Sequence, residues 1–226
     1  MPCVLITGAN RGIGLAFARS FAADGWRVYA CCRQPDKARE LKDLAGEVTV
    51  HRLDVTDSLQ VAGLARELAG QPVDILLNNA GIYGSRTGFG ETDYDLWPQV
   101  FQVNVMAPLR LAERFVEQVA QSESKLIVNI SSRMASIAEN SSGGGYVYRS
   151  SKAALNMVAK SLSIDLADRG ITVVMFHPGW VQTDMGGPKA AVTAGESVAG
   201  MRAVIERLTS ADNGRFFTYD GTEIPW

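Results

Sequence analysis

The feature that most constrains this chain is a rhythm: short, continuously apolar, β-rich runs alternate with longer amphipathic ones from one end to the other. The apolar runs are PCVLIT (2–7), WRVYACC (26–32), VTVHRL (48–53), VDILLNN (73–79), KLIVNIS (125–131), ITVVMF (171–176) and GRFFTYD (214–220). Between them lie GIGLAFARSFAADG, PDKARELKDLAG and SLQVAGLARELAG, a long helical region over about 95–120, and helices over about 148–168 and 196–209. Strands that are apolar at every position need cover on both faces. Strands alternating with helices, and covered on both faces, specify an α/β fold with a parallel, doubly wound, Rossmann-type sheet. The 226 residues suit one core, and no repeat, low-complexity segment or linker divides them, so a single domain over 1–226 is expected.

Composition narrows the partners. With 20% charged residues and a net charge of -2, the chain has no electrostatic footprint for nucleic acid or an anionic membrane. No uninterrupted apolar stretch approaches the length of a membrane span. The opening MPCVLITGANRGIG carries no cationic segment before an apolar run, so a cytoplasmic location is expected. Cys3, Cys31 and Cys32 sit in β-like runs without CxxC or Cys/His spacing and are read as small buried hydrophobes, with no metal site. His51 and His177 stand alone at strand ends and are assigned structural roles.

In a doubly wound sheet, ligands bind outside the carboxyl ends of the strands, near the point where strand order reverses. The glycine-rich and polar residues of this chain collect at those ends. After the first apolar run comes TGANRGIG, with Gly8, Gly12 and Gly14 between a strand and a helix. Glycines let a backbone turn sharply and approach a pyrophosphate, and a helix N-terminus offers free N–H groups to it. No Lys-Ser or Lys-Thr follows, which argues against a P-loop. At the end of the second run, YACCRQPDK has no carboxylate to hold a ribose 2′-hydroxyl. Arg33 stands there instead, and Arg11 lies in the glycine loop. Two guanidinium groups and no acid suit the extra phosphate of NADP. Asp54, in LDVTD, is placed to accept a hydrogen bond from the adenine amino group or to cap the next helix, a role open also to Thr56 and Asp57.

The stretch YVYRSSK (146–152) sets Tyr148 four residues before Lys152, one helical turn away and on the same face. A carbonyl that accepts hydride at carbon develops negative charge on oxygen and needs a proton donor and a neutral hydrogen-bond donor. A phenol titrates near 10, and a nearby ammonium favours the phenolate and lowers that value. Tyr148 beside Lys152 is therefore expected to have a depressed pKa.

TGANRGIG at 7–14, NNAG at 78–81, Asn104, NISS at 129–132, YRSSK at 148–152 and HPGWVQTDM at 177–185 together resemble the short-chain dehydrogenase/reductase family, in its order and approximate spacing. SSGGGYVYRSSKAALNM and the ending DGTEIPW further resemble its C-factor and sniffer-like carbonyl reductase branch. The resemblance implies a catalytic tetrad of Asn104, Ser132, Tyr148 and Lys152. It makes Tyr148 the acid, Lys152 a ligand of the nicotinamide ribose as well, and Asn104 the residue that kinks its helix to hold a proton-relay water. Ser131 competes with Ser132, which is preferred because one small residue normally separates the family's serine from its strand. The interval from Ser132 to Tyr148 is longer than common, with ENSSGGG as the inserted part.

The same resemblance implies a cofactor site of Gly8, Asn10, Arg11, Gly12, Ile13, Gly14, Arg33, Asp54, Val55, Asn79, Ala80, Gly81, Tyr148, Lys152, Pro178, Gly179, Val181 and Thr183. Thr183 would meet the nicotinamide carboxamide, and Trp180, Met185 and Tyr83 would line the substrate pocket. The implied activity is an NADPH-dependent oxidoreductase acting on a small-molecule carbonyl or alcohol. A 3-oxoacyl-thioester reductase and a cofactor-binding signalling protein are the alternatives. Pairing of the two long helices with their copies implies a homodimer.

Overall fold

A computed structural model describes residues 1–226. Strand β1 (Cys3–Thr7) leads into helix α1 (Gly12–Ala23), followed by β2 (Arg27–Cys32), the single turn α2 (Arg39–Lys42), β3 (Val48–Arg52) and α3 (Ser58–Glu67). The second half runs β4 (Ile75–Asn78), α4 (Leu96–Phe101), α5 (Ala107–Ala120), β5 (Leu126–Ile130), α6 (Tyr146–Asp165), β6 (Thr172–His177), α7 (Ala194–Ile205) and β7 (Phe216–Thr218). All strands pair in parallel in the order β3-β2-β1-β4-β5-β6-β7. This is the expected doubly wound α/β sheet in one domain. The chain winds outward from β1 one way and from β4 the other, so the crevice between their carboxyl ends is the switch point.

Alternate side chains of each strand feed two cores. On one face Val4, Ile6, Val28 and Ala30 pack beneath α1 and α7, which contribute Phe17, Phe21, Met201 and Val204. On the other, Leu5, Tyr29, Leu76 and Val173 meet Val61 and Leu64 of α3, Leu111 and Phe115 of α5, and Ala159 of α6. The central strands β1, β4 and β5 are buried along their whole length, as continuous apolar runs require. Strand β3, at the sheet edge, is exposed at Thr49 and Arg52.

Several helices differ from their expected spans. Residues 35–42 form only a 3₁₀ turn and one α-helical turn, Pro35 opening the first. The region over 95–120 is not continuous: a π-helical segment, Gln102–Met106, separates α4 from α5. Pro108 explains the break. It has no N–H with which to close an α-turn on the carbonyl of Asn104, four residues back, so the ladder widens there. Helix α6 starts two residues early, at Tyr146. Helix α7 starts at Ala194 behind a capping box in which Thr193 accepts from the Glu196 N–H and Glu196 accepts from that of Thr193.

Candidate active site

A cleft of about 1040 Å³ opens at the switch point, between the carboxyl ends of β1, β2, β4, β5 and β6. Its floor is the glycine loop. Gly8 and Gly12 have φ of +65° and +53°, conformations that suit glycine. A Cβ on Gly14 would run into the carbonyl oxygen of Gly8 and the side-chain amide of Asn79. That amide donates to the carbonyls of Thr7 (2.8 Å) and Gly8 (3.2 Å), which ties the loop to the end of β4. Helix α1 begins with no side-chain cap, and Gly12, Ile13 and Gly14 face the cleft. This is a cradle for a phosphate anion.

The expected cofactor residues divide into three groups. Gly8, Asn10, Gly12, Ile13, Gly14, Arg33, Asp54, Val55, Asn79, Ala80, Gly81, Tyr148, Lys152, Pro178 and Thr183 all line the cleft. Arg33 is exposed at the end of β2 and forms no ion pair, with Cys32 and Gln34 beside it on the wall. Arg11 also lines the cleft, but its guanidinium is paired at 2.7 Å with Asp184 of the loop after β6. Gly179 and Val181 stand behind the wall. Gly179 packs against the Tyr219 ring, and Val181 is buried and bridged to Val192. The Asp54 carboxylate accepts from the N–H and hydroxyl of Thr56, while Asp57 caps α3.

Of the four tetrad residues, Asn104 is wholly buried and Ser132, Tyr148 and Lys152 nearly so. The Asn104 side chain accepts from the Ile82 N–H and donates to the Ile82 carbonyl, both at 2.9 Å, and donates to Ser151 Oγ at 3.0 Å. It sits in the π-helical segment. Gly81 lets the groups converge: a Cβ there would lie 3.3 Å from Asn104 Oδ1 and 3.6 Å from Lys152 Nζ. Lys152 Nζ donates to the Ile130 carbonyl at 2.8 Å and stands 5.9 Å from the centroid of the Tyr148 ring. Ser132 lies near enough to the phenol to favour its ionisation, and its Oγ accepts from the Met134 N–H at 3.2 Å, whereas the Ser131 hydroxyl donates to Asn156 Oδ1 at 2.6 Å.

The inserted stretch keeps Tyr148 in register. Gly143, Gly144 and Gly145 have φ of +63°, +62° and +57°, a left-handed run that non-glycine residues rarely adopt. Arg149 then donates to Ser142 Oγ (2.8 Å) and to the Met134 carbonyl (3.3 Å), binding the insert and the Ser132 loop to α6.

The electrostatics differ from expectation in one respect. Burial pushes the Tyr148 phenol up to about 12; the hydrogen-bonding partner Ser132 pulls the other way and does not win. Lys152 does not depress the phenol, because burial lowers its own pKa to about 8. Burial also lowers His177 to about 4, which keeps that imidazole neutral, and raises all three cysteines, which are free and buried. No group of His, Cys, Asp and Glu is arranged to hold a metal. No helix is long and apolar enough to cross a membrane.

Tyr83 and Met185 flank the site, the former stacked on Tyr148 and the latter on the cleft wall. Trp180 turns outward, and its indole donates to the Gly186 carbonyl. Ser131, of the NISS motif, and Gln182, of HPGWVQTDM, also line the cleft, as do Gln34 and Pro188, which no motif marks in the sequence.

Comparison with known proteins agrees with this geometry. The short chain dehydrogenase family model matches residues 2–193. The chain is similar to the C-signal protein of Myxococcus xanthus, 47% identical over 155 residues, which cover 69% of this chain and 93% of that one. Its fold is similar to that of the carbonyl reductase Sniffer of D. melanogaster, with a TM-score of 0.94 and 32% identity over all of both chains. An NADPH-bound carbonyl reductase from chicken fatty liver superposes with a TM-score of 0.93 at 35% identity, over 100% of this chain and 99% of that one. The chain belongs to the short-chain dehydrogenase family.

Proposed function

We propose that this protein is an NADPH-dependent oxidoreductase that interconverts a small-molecule carbonyl and its alcohol, with Tyr148 as the general acid and base. One observation carries the reading: Tyr148 and Lys152 stand together on the wall of a cleft whose floor is a glycine loop at a helix N-terminus, with Ser132 close to the Tyr148 phenol behind that wall. The residues present fit the dinucleotide. Gly14 lets the loop close tightly on the Gly8 carbonyl and the Asn79 amide at the helix N-terminus, and Arg33 supplies an unpaired cation where the 2′-phosphate of NADP would lie. When bound, the reduced nicotinamide supplies the hydride.

Tyr148, Ser132 and Lys152 supply the rest of the chemistry. At neutral pH the buried Tyr148 phenol is fully protonated, the form that donates. The alkoxide that develops is a far stronger base than a phenolate, so even a phenol at about 12 gives up its proton downhill. The Ser132 hydroxyl donates a second hydrogen bond to the same oxygen. Lys152 keeps N–H groups free of the Ile130 carbonyl for the nicotinamide ribose hydroxyls, and Asn104 holds the backbone around them. The three free, buried cysteines suit a reducing compartment such as the cytoplasm. A homodimer through α5 and α6 would cover the exposed Met157 and Ile164 of α6.

A screen of NADPH oxidation over aldehydes, ketones, quinones and 3-oxoacyl thioesters tests the activity. In that screen Tyr148→Phe is expected to bind NADPH normally and to lose about 10²–10⁴-fold in turnover. Retention of more than about a tenth of wild-type turnover would remove Tyr148 from the role of acid. The likeness to C-signal favours a second reading, a signalling protein on the same fold. NADPH binding without turnover of any carbonyl would select it.

A further inference from the structure

The loop after β4 places a second tyrosine against the first. The rings of Tyr83 and Tyr148 stack with centroids 4.4 Å apart and planes 17° from parallel. Tyr83 is only partly buried and belongs to neither hydrophobic core, so filling the interior does not account for its position.

The backbone of Tyr83 is held on both sides. Before it, Ile82 is clasped at N–H and carbonyl by the Asn104 side chain. After it, Gly84 has φ +79°, and a Cβ there would come within 3.0 Å of Val100 and 3.4 Å of Val147. The chain is thus pressed against α4 and α6 directly beyond the ring. The outer face of that ring carries the Arg86 guanidinium, 5.0 Å from the centroid. Arg86 also donates to the Met185 carbonyl at 2.5 Å, which links the loop after β4 to the loop after β6 across the mouth of the cleft. At the rim, the Tyr83 hydroxyl lies 3.8 Å from Met134 Sδ, on the loop that carries Ser132.

We infer that Tyr83 is a positioning residue for Tyr148: its ring seals one face of the phenol, excludes water from it and fixes its orientation, with Arg86 as the brace. The inference rests on the proposed role of Tyr148. A stacked ring restricts rotation of the phenol, so the hydroxyl keeps its orientation in the cleft and its proximity to Ser132. Loss of the ring would admit water. Among the titratable and charged groups facing the phenol, Lys152 comes from α6, Tyr83 from the loop after β4, and Arg86 lies one ring further out. Hydration of the phenol makes the phenolate easier to form, and removal of Tyr83 also removes a group that disfavours it, so both effects act in one direction.

The test uses the full chain with NADPH or NADP and a carbonyl–alcohol pair found in the screen. Tyr83→Leu fills the space without a flat ring, and Tyr83→Phe keeps the ring without the hydroxyl. Tyr83→Leu is expected to lower kcat by about tenfold or more while NADPH affinity stays within about twofold. In alcohol oxidation, which needs the phenolate, its rise in rate with pH is expected at lower pH than in the wild type. Tyr83→Phe is expected to keep kcat near the wild-type value and to shift the pH profile less than Tyr83→Leu, because it keeps the stacked ring and loses only the second hydroxyl. Wild-type kcat and pH profile in Tyr83→Leu overturn the inference, as does a Phe variant impaired as deeply as Leu. If Tyr83→Leu does not fold, Tyr83→Met is read by the same criteria. Tyr148→Phe is measured alongside: an active Tyr148→Phe overturns both the role of Tyr148 and this inference, and an inactive one with unaltered Tyr83 variants overturns this inference alone.

Discussion

Lys152 is a cation in the wrong place for stability, and replacing it is expected to strengthen the fold. Its side chain is only 4% exposed, and burial lowers its pKa from the ordinary 10.5 to about 8. At 1.36 kcal/mol per pKa unit, carrying that ammonium costs the folded state about 3 kcal/mol at neutral pH. The sign follows from linkage. The unfolded chain holds the proton more tightly, so the cost is full below about pH 8 and fades as pH rises toward 10.5. Lys152→Met keeps the length and apolar stem of the side chain and removes the charge, but leaves the Ile130 carbonyl without its donor, a loss of about 1 kcal/mol. The variant is therefore expected to gain about 2 kcal/mol at pH 7, which for a chain of this size raises Tm by about 4–8 °C. At pH 10 about 2.5 kcal/mol of the wild-type cost has disappeared, and the two proteins are expected to melt together. Thermal unfolding followed by circular dichroism at both pH values checks this, with carbonyl turnover measured in parallel and expected to be lost. A variant less stable than wild type at pH 7, or a Tm difference that does not change between pH 7 and pH 10, would refute the assignment of a buried, destabilising ammonium.

Arg33→Ala is expected to weaken NADPH binding by about tenfold or more and to leave NADH nearly unaffected, since one charge-assisted contact to the 2′-phosphate is lost. Fluorescence titration of both nucleotides reads this, and equal affinities for them in the wild type would dismiss the phosphate role. Gly14→Ala is expected to abolish dinucleotide binding and to cost about 1–3 kcal/mol of stability, because the new methyl meets the backbone of Gly8 and the Asn79 amide, neither of which can move without releasing the loop. Normal NADPH affinity in that variant would show that the loop has slack. A dimer is expected by light scattering at micromolar concentration, and Met157→Asp on the exposed face of α6 is expected to yield monomers.

What the residues announced by themselves was local chemistry. Continuous apolar runs located the strands because burial on both faces leaves no alternative pattern. The three glycines marked the floor of the cleft because backbone approach demands them at a strand-to-helix turn. The break at Asn104 was equally legible in retrospect: Pro108, four residues on, withholds the N–H that an unbroken helix would need. Long-range pairings were not legible. Arg11 reaches Asp184, 173 residues away, so its guanidinium is shared with the loop after β6 rather than reserved for a phosphate. Likewise Tyr83 meets Tyr148 only because Asn104 and Gly84 pin a loop that carries no motif of its own.

The phenol shows most clearly where sequence reasoning runs out. Four-residue spacing puts Lys152 on the same helical face as Tyr148, and from that alone a lowered pKa follows by Coulomb attraction. Burial acts on both groups at once: it raises the phenol and lowers the lysine, and the ammonium is turned to the Ile130 carbonyl. Spacing along a helix determines which groups meet. The surrounding sheet and loops determine the dielectric in which they meet, and here that reverses the sign of the shift. The same burial leaves Tyr148 protonated at neutral pH, so on the role proposed for Tyr148 alcohol oxidation is expected to need alkaline conditions.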